Sequence, residues 1–420
     1  MTWLWLVACN GDPKPTDTAP ADGDADTDAD TDADADTDTD ADADTAQTSG
    51  DTGGCAAGFG DADGDGYGDP AVPTTTCDDP AAVADATDCD DTRAAVHPGA
   101  DEACDGLDTD CDAATAEDGL VTEVSAGGAV VDLTAEFAAG APDAPVVVDL
   151  EDGRYDLCAG TFFVHLRAAG VDATIDGHGV ATVDGGRSAT VLAVDGGVVT
   201  VVGVTVTGGE GSVPASNGAG LTGGGFACVG DADVTFDAVT FVDNHAEIGG
   251  AWFVDACTVH ATATTLTANH ATYGGGLYAF DGTIDLTGAV VTANTAVNSG
   301  GGLGLEGTGP RPALTLTDTV VSDNTAQFGG GLVTYENAEA TCVGAVGATA
   351  GFVRNTATGQ GGAVYVTGAD FPPRFTADTC DFGVGADDNV PSDVVTAYAS
   401  TDPHTFGDDA TFSCDPTGCF

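Results

Sequence analysis

An internal repeat restricts this chain more than any other feature. Five segments align: Phe241-Val-Asp-Asn244, Leu266-Thr-Ala-Asn269, Val291-Thr-Ala-Asn294, Val321-Ser-Asp-Asn324 and Phe352-Val-Arg-Asn355. An Ala stands two residues after each Asn, and a glycine run follows, beginning at Gly249, Gly274, Gly300, Gly329 and Gly361. The Asn spacings are 25, 25, 30 and 31 residues. A short alternating strand comes next, with first positions Trp252, Leu277, Leu303, Leu332 and Val364. A period of this length signals stacked supersecondary units, none of which can bury its apolar face alone.

The pattern predicts an all-β fold, a right-handed parallel β-helix solenoid spanning 120–420. Each repeat is one coil, and neighbouring coils pair their backbones about 4.8 Å apart. Phe241, Leu266, Val291, Val321 and Phe352 are expected to stack inside, with the Asn residues forming a hydrogen-bonded ladder at a turn. The glycines suit bends that a Cβ would forbid. A βαβ arrangement fails because no amphipathic helix of 10–15 residues separates the strands, and a propeller needs about 40 residues per blade. Upstream, Val171–Gly179 and Val198–Gly209 read as earlier, less regular coils. At about 25 residues per coil the expectation is roughly eleven coils and a rod of about 55 Å. If Leu277 and its equivalents face inward, Phe253 and Tyr278 face outward, where the pair is a candidate platform for stacking on a sugar ring.

Charge sorts the possible partners. The 420 residues carry 69 acidic and 8 basic side chains, a net of −61. Nucleic acid is excluded, since it requires a cationic face, and adhesion to an anionic membrane surface is disfavoured for the same reason. Divalent cations are the natural partners. Thirteen Cys point to an oxidising compartment with disulfides. Cys228 and Cys257 lie one coil apart and suit a bridge between coils. Cys414 and Cys419 suit closure of the C-terminal end. Apart from Cys9, both the front module and the rod hold an odd number, so full oxidation needs a bridge between them, from Cys111 or another to Cys158.

The front of the chain is different material. Leu6-Val7-Ala8-Cys9 resembles a bacterial lipobox, which implies lipidation of Cys9 and membrane attachment through that lipid anchor only. No Lys or Arg precedes Cys9 and the apolar stretch is short, so a clipped secretion signal is the alternative. Residues 10–54 read as a disordered Asp/Ala/Thr linker: every even position from Asp22 to Asp44 is Asp, and nothing between is large enough to pack.

Residues 55–119 carry the chemistry. Asp61, Asp63, Asp65 and Asp69 follow the spacing of a calcium loop, Gly66 permits the sharp turn, and the Tyr67 carbonyl is placed to be a ligand. Position 12 is Val72, so the bidentate Glu of an EF-hand is missing. Further oxygens are expected from Asp88, Asp90 and Asp91, and from Asp105, Asp108, Asp110 and Asp112, each group holding a Cys within its acidic loop. From Asp61 to Asp112, through His97-Pro98-Gly99-Ala100 and Glu102-Ala103-Cys104-Asp105-Gly106, the stretch resembles a metal-binding motif of secreted bacterial proteins, named in part for a copper-binding surface protein. It is also similar to thrombospondin type 3 calcium repeats. Hard oxygen donors favour calcium (Ca2+) over copper, which wants imidazole or sulfur. An acidic, disulfide-stapled spacer without a specific metal is the alternative.

The Asn-x-Ala…Gly-Gly repeats resemble those of polymorphic outer-membrane proteins, and the rod as a whole resembles pectin-lyase-like β-helices. The second resemblance implies polysaccharide lyase or hydrolase chemistry, in which lyases set an Arg beside Asp-bound calcium. Residues 120–420 hold six Arg and no Lys, and of these only Arg354 lies inside a repeat. No nucleophile elbow accompanies the histidines. The favoured expectation is a non-enzymatic lipoprotein of the bacterial envelope or surface, whose calcium-binding stalk presents a β-helix to a polysaccharide or surface protein. A carbohydrate-active β-helix enzyme is the alternative, and Arg354 or Arg374 would serve it.

Overall fold

A computed structural model describes residues 55–100, 108–112, 121–125, 127–214, 220–307, 311–345, 350–368, 373–396, 410–415 and 418–419. Cys9, the linker 10–54 and Asp105 lie outside them. Residues 55–420 form one compact unit.

The repeats fold as expected into a parallel β-helix. A first sheet stacks Phe226–Val229, Trp252–Asp255, Leu277–Ala279, Leu303–Leu305, Leu332–Thr334, Val364–Val366 and Val394–Thr396, all parallel. A second stacks Asp233–Asp237, Cys257–Thr262, Gly282–Thr287, Ala313–Thr317, Glu339–Val343 and Arg374–Cys380. A third stacks Thr240–Val242, Thr265–Thr267, Val290–Thr292, Val320–Ser322 and Gly351–Val353. The long strand Leu192–Thr207 contributes to all three, and Gly160–Asp184 pairs along it. In the first sheet, in-register positions run from Val148 through Leu166, Leu192, Phe226, Trp252, Leu277, Leu303, Leu332 and Val364 to Val394. This makes ten levels among the described residues, against roughly eleven coils expected.

The interior is apolar and continuous. Phe241, Leu266, Val291, Val321 and Phe352 are buried in one column of the third sheet, as the repeat predicts. Trp252 is fully buried among phenylalanines, its ring centroid 4.8 Å from Phe236, 5.2 Å from Phe241 and 6.1 Å from Phe226. Edge-on ring packing of this kind adds to the stabilisation from burial.

The Asn residues form the expected ladder. The Nδ2 of Asn244 donates to Oδ1 of Asn269 (3.1 Å), and the relay continues to Asn294 (2.9 Å), Asn324 (3.0 Å) and Asn355 (3.0 Å). Each Oδ1 also accepts the backbone N–H of the preceding Asn. Asn389, outside the repeat, is a sixth rung at 3.1 Å from Asn355. The residue before each repeat Asn turns left-handed, with φ of 54–56° at Asp243, Ala268, Ala293, Asp323 and Arg354. Such a conformation costs a non-glycine residue about 1–2 kcal/mol, which the ladder bonds offset. The first glycine of each run also has positive φ, and a Cβ there would overlap the carbonyl oxygen three residues on. That overlap explains why the repeat keeps Gly249 and its equivalents.

Antiparallel strands flank the second sheet at both ends. Val121–Ser125 pairs with Gly153–Leu157 at the front, while Ala410–Asp415 pairs with Arg374–Cys380 at the back. There they cover the parallel edges on which another chain could add. The disulfide Cys228–Cys257 joins neighbouring coils as expected, and Cys342–Cys380 adds a second bridge that the spacing did not suggest. Cys414 and Cys419 stand opposite each other in antiparallel register. Cys111 bonds to Cys89, so it is not the partner of Cys158, which is itself disulfide-bonded.

Phe253 and Tyr278 do lie on the outer side of the first sheet, but they are only 0% and 2% exposed. Ile248, Phe280 and the partly buried Tyr273 pack over them as a second, smaller apolar cluster. The pair is not exposed for stacking on a sugar, because the strand His270–Tyr273 and Ile248, which bridges to it, cover this face.

A buried imidazole ties coils together near the front. His165 is 7% exposed, with Nδ1 3.0 Å from the Thr190 carbonyl and Nε2 2.9 Å from Ser188 Oγ. Burial holds its pKa below the ordinary 6.5. As pH falls below that value the unfolded chain takes up a proton that the folded chain refuses, so this contribution, full above pH 6.5, is lost on acidification. The urea midpoint should therefore drop between about pH 7 and 5.5, and His165→Gln should drop less over the same window. Equal pH slopes for the two proteins would refute this.

Candidate metal centre

The acidic loop begins where a small antiparallel pair, Ala57–Phe59 with Pro73–Thr75, holds its ends together. Asp69 N–H donates to the Gly60 carbonyl at 3.0 Å, closing the loop. Gly64 and Gly66 have φ of 85° and 99°, and a Cβ at either would meet open space, so backbone conformation and not crowding selects glycine. The alternation of the loop turns Asp61, Asp63 and Asp65 inward, while Ala62, Gly64 and Gly66 are exposed.

Two further carboxylates reach this loop from the next acidic segment. Asp91 Oδ1 accepts the Ala62 N–H at 2.7 Å. Asp88 is 3% exposed, and its N–H faces the Gly68 carbonyl at 3.3 Å. The disulfides Cys55–Cys77 and Cys89–Cys111 fasten the flanks. The Tyr67 ring stacks on His97, centroids 5.1 Å apart and planes within 3°. The result is two overlapping triads, Asp61/Asp63/Asp91 and Asp63/Asp65/Asp88. In each, one oxygen per residue lies within 4.8 Å of the others.

One oxygen in each of Asp63, Asp65 and Asp88 is buried and has no hydrogen-bond partner. Burying a charged oxygen without a partner is costly, and three of them converge on one triad. Burial pushes the Asp88 carboxyl above its ordinary pKa, and the charges of Asp65, Asp63 and Asp91 add to it, against a backbone N–H from Asp90. A divalent cation would satisfy all three oxygens at once and remove the repulsion between them. The donor set therefore fits a metal, and the fit is to oxygen chemistry.

The remaining expected ligands sit differently. Asp69 Oδ1 accepts the Ala71 N–H at 2.7 Å. Asp90 is held by the Thr92 hydroxyl at 2.6 Å, which lowers its pKa, and pairs with Arg93. Asp110 Oδ1 accepts the Asp112 N–H at 2.8 Å, and Asp108 and Asp112 are exposed. None of these five joins the two triads. A third group, Asp88 with Cys89 and Cys111, offers no thiolate, because its sulfurs form a disulfide.

Elsewhere, Asp156, Asp176 and His178 also lie close together. Arg154 already occupies the space between the carboxylates, at 2.8 Å from Asp156 and 2.9 Å from Asp176. Arg354, the one basic residue inside a repeat, forks onto Asp323 (2.7 Å) and reaches Asp387 (3.0 Å). Both Arg residues tie neighbouring coils together through their carboxylates.

Comparison with known proteins finds a metal-binding motif in the second part of this region. Residues 88–117 match a family model described as "Putative metal-binding motif", whose label names copper. The match begins at Asp88 and so leaves Asp61, Asp63 and Asp65 outside it. No curated protein matches the chain, and no solved structure does.

Proposed function

We propose that the Asp61–Asp91 centre binds calcium and stiffens a stalk that presents the β-helix as a non-catalytic binding rod of the bacterial envelope, secreted and anchored through Cys9. The three partnerless buried oxygens of Asp63, Asp65 and Asp88 carry the metal part of this reading. Calcium accepts six to eight oxygen ligands in flexible geometry, so the Tyr67 carbonyl and water complete the shell beside five carboxylates. Copper, which the family label names, prefers nitrogen and sulfur. Here the nearby sulfurs are oxidised, and the only imidazole of the described module is stacked on Tyr67. The paired arginines and the coil-spanning ladder support a structural rod.

Calorimetry on the full chain tests the metal. Calcium should bind with a Kd between about 10 μM and 1 mM, the range of extracellular modules and weaker sensors. Stoichiometric copper binding that calcium does not displace would overturn the reading. Release of unsaturated uronate from acidic polysaccharides would overturn the non-catalytic part.

A further inference from the structure

The covered face of the first sheet leaves a cavity. It measures about 530 Å³ and is lined by Tyr273, Tyr278, Tyr335, Glu247, Glu306 and Asn298, with Ile248 and Phe280 at its apolar side. This volume is in the range of small-molecule sites. One residue choice seats its central ring. Tyr278 is in register with Gly304 on the next coil, and its ring lies where a side chain at 304 would stand. A Cβ on Gly304 would collide with the ring, so glycine there leaves room for it.

The site is built, because its phenols are tied down. Tyr278 donates its hydroxyl to Glu306 Oε2 at 2.8 Å, Tyr335 donates to Ser299 Oγ at 2.8 Å, and Asn298 Nδ2 donates to the Tyr273 hydroxyl at 3.3 Å. Tyr278 packs edge-on against both Tyr273 and Phe280. With two phenol protons spent on the protein, the wall offers mostly acceptors and ring faces. Its lining contains no Lys, Arg or His. Among the described residues, neither Glu247 nor Glu306 has a basic side chain within ion-pair distance.

We propose that this cavity binds a small organic cation, a quaternary or alkylated ammonium group. Tyr273 and Tyr335, the half-buried aromatic rings of the lining, attract such a cation through their quadrupoles, and a carboxylate at the same site supplies the counter-charge. A quaternary ammonium asks for no hydrogen-bond donor, which this wall is short of. A neutral sugar needs donors and acceptors together. Burial and the charge of Glu306 raise the Tyr278 phenol well above its ordinary pKa, so it keeps the proton it donates to Glu306.

The test uses the full chain at constant calcium, with choline and tetramethylammonium as probes and N-acetylglucosamine as the neutral comparator. Ligand-observed NMR should show both cations binding, with Kd on the order of 1 mM. Glu306→Gln should weaken choline about fivefold or more, and so should Tyr273→Leu, whose ring is only partly buried. Melting temperature checks that each variant folds, and wild-type-like melting is expected for Tyr273→Leu. Three results would each overturn the assignment: no choline binding up to about 50 mM, binding indifferent to both substitutions, or a sugar that binds more tightly than either cation. None of these outcomes bears on the calcium centre, which involves different residues.

Discussion

Asn324→Leu should cost the folded chain about 3–5 kcal/mol, seen as a large fall in the denaturant midpoint. Leucine has the same bulk but none of the polar atoms. Asn324 Oδ1 accepts the Asn294 N–H at 2.9 Å and Asn294 Nδ2 at 3.0 Å. Its Nδ2 donates to the Val291 carbonyl at 2.8 Å and to Asn355 Oδ1 at 3.0 Å. The substitution therefore removes four buried hydrogen bonds at a stroke. It takes the acceptor from the Asn294 N–H, while Asn294 Nδ2 keeps the Leu266 carbonyl and Asn355 Oδ1 keeps the Asn324 N–H. Each buried bond lost costs about 1 kcal/mol. Asn324→Asp should be at least as severe, since it keeps the acceptors but loses both Nδ2–H donors and buries a charge. A change below about 1 kcal/mol in either variant would show that the ladder does not hold the coils together.

Asp63→Asn should weaken calcium binding by about a hundredfold, because affinity in such loops follows the number of charged ligands. Asp63 is the only member common to both carboxylate triads. One of its oxygens is buried without a partner, while the other faces the Asp65 N–H at 3.3 Å. Asp69→Asn is the contrast. Its carboxylate is spent on the Ala71 N–H and lies outside both triads, so the loss should be about threefold or less. Paired calorimetric titrations distinguish the two. Equal losses at Asp63 and Asp69 would place the cation elsewhere.

The coil architecture was legible because three periodicities coincide: the apolar column at Phe241, the ladder at Asn244 and the glycine at Gly249. Each has its own physical cause, and all three demand the same repeat length. Asn389 escaped notice because neither an alanine two residues on nor a glycine run follows it, yet its amide reaches Asn355 all the same. Alternation placed Phe253 and Tyr278 on the correct side of the strand. It could not tell that Ile248 and the strand His270–Tyr273 would fold across that side. A period of two reports which face a residue joins and is silent on what covers that face. At the metal centre, loop spacing brought forward Asp61, Asp63 and Asp65. Selecting Asp88 and Asp91 from the later acidic residues required the tertiary contacts of Ala62 and Gly68.

Successive rungs of the ladder are 25, 25, 30, 31 and 34 residues apart, yet the rungs stay at hydrogen-bond distance. The surplus length emerges between strands, as in the passage from Leu305 to Ala313, which is only Ala279 to Gly282 one coil earlier. Winding and decoration are thus separable in this molecule. Foreign peptides grafted between Gly307 and Arg311 would interrupt no strand of the column, which makes the rod a host for engineered loops whose sequence need not obey its period.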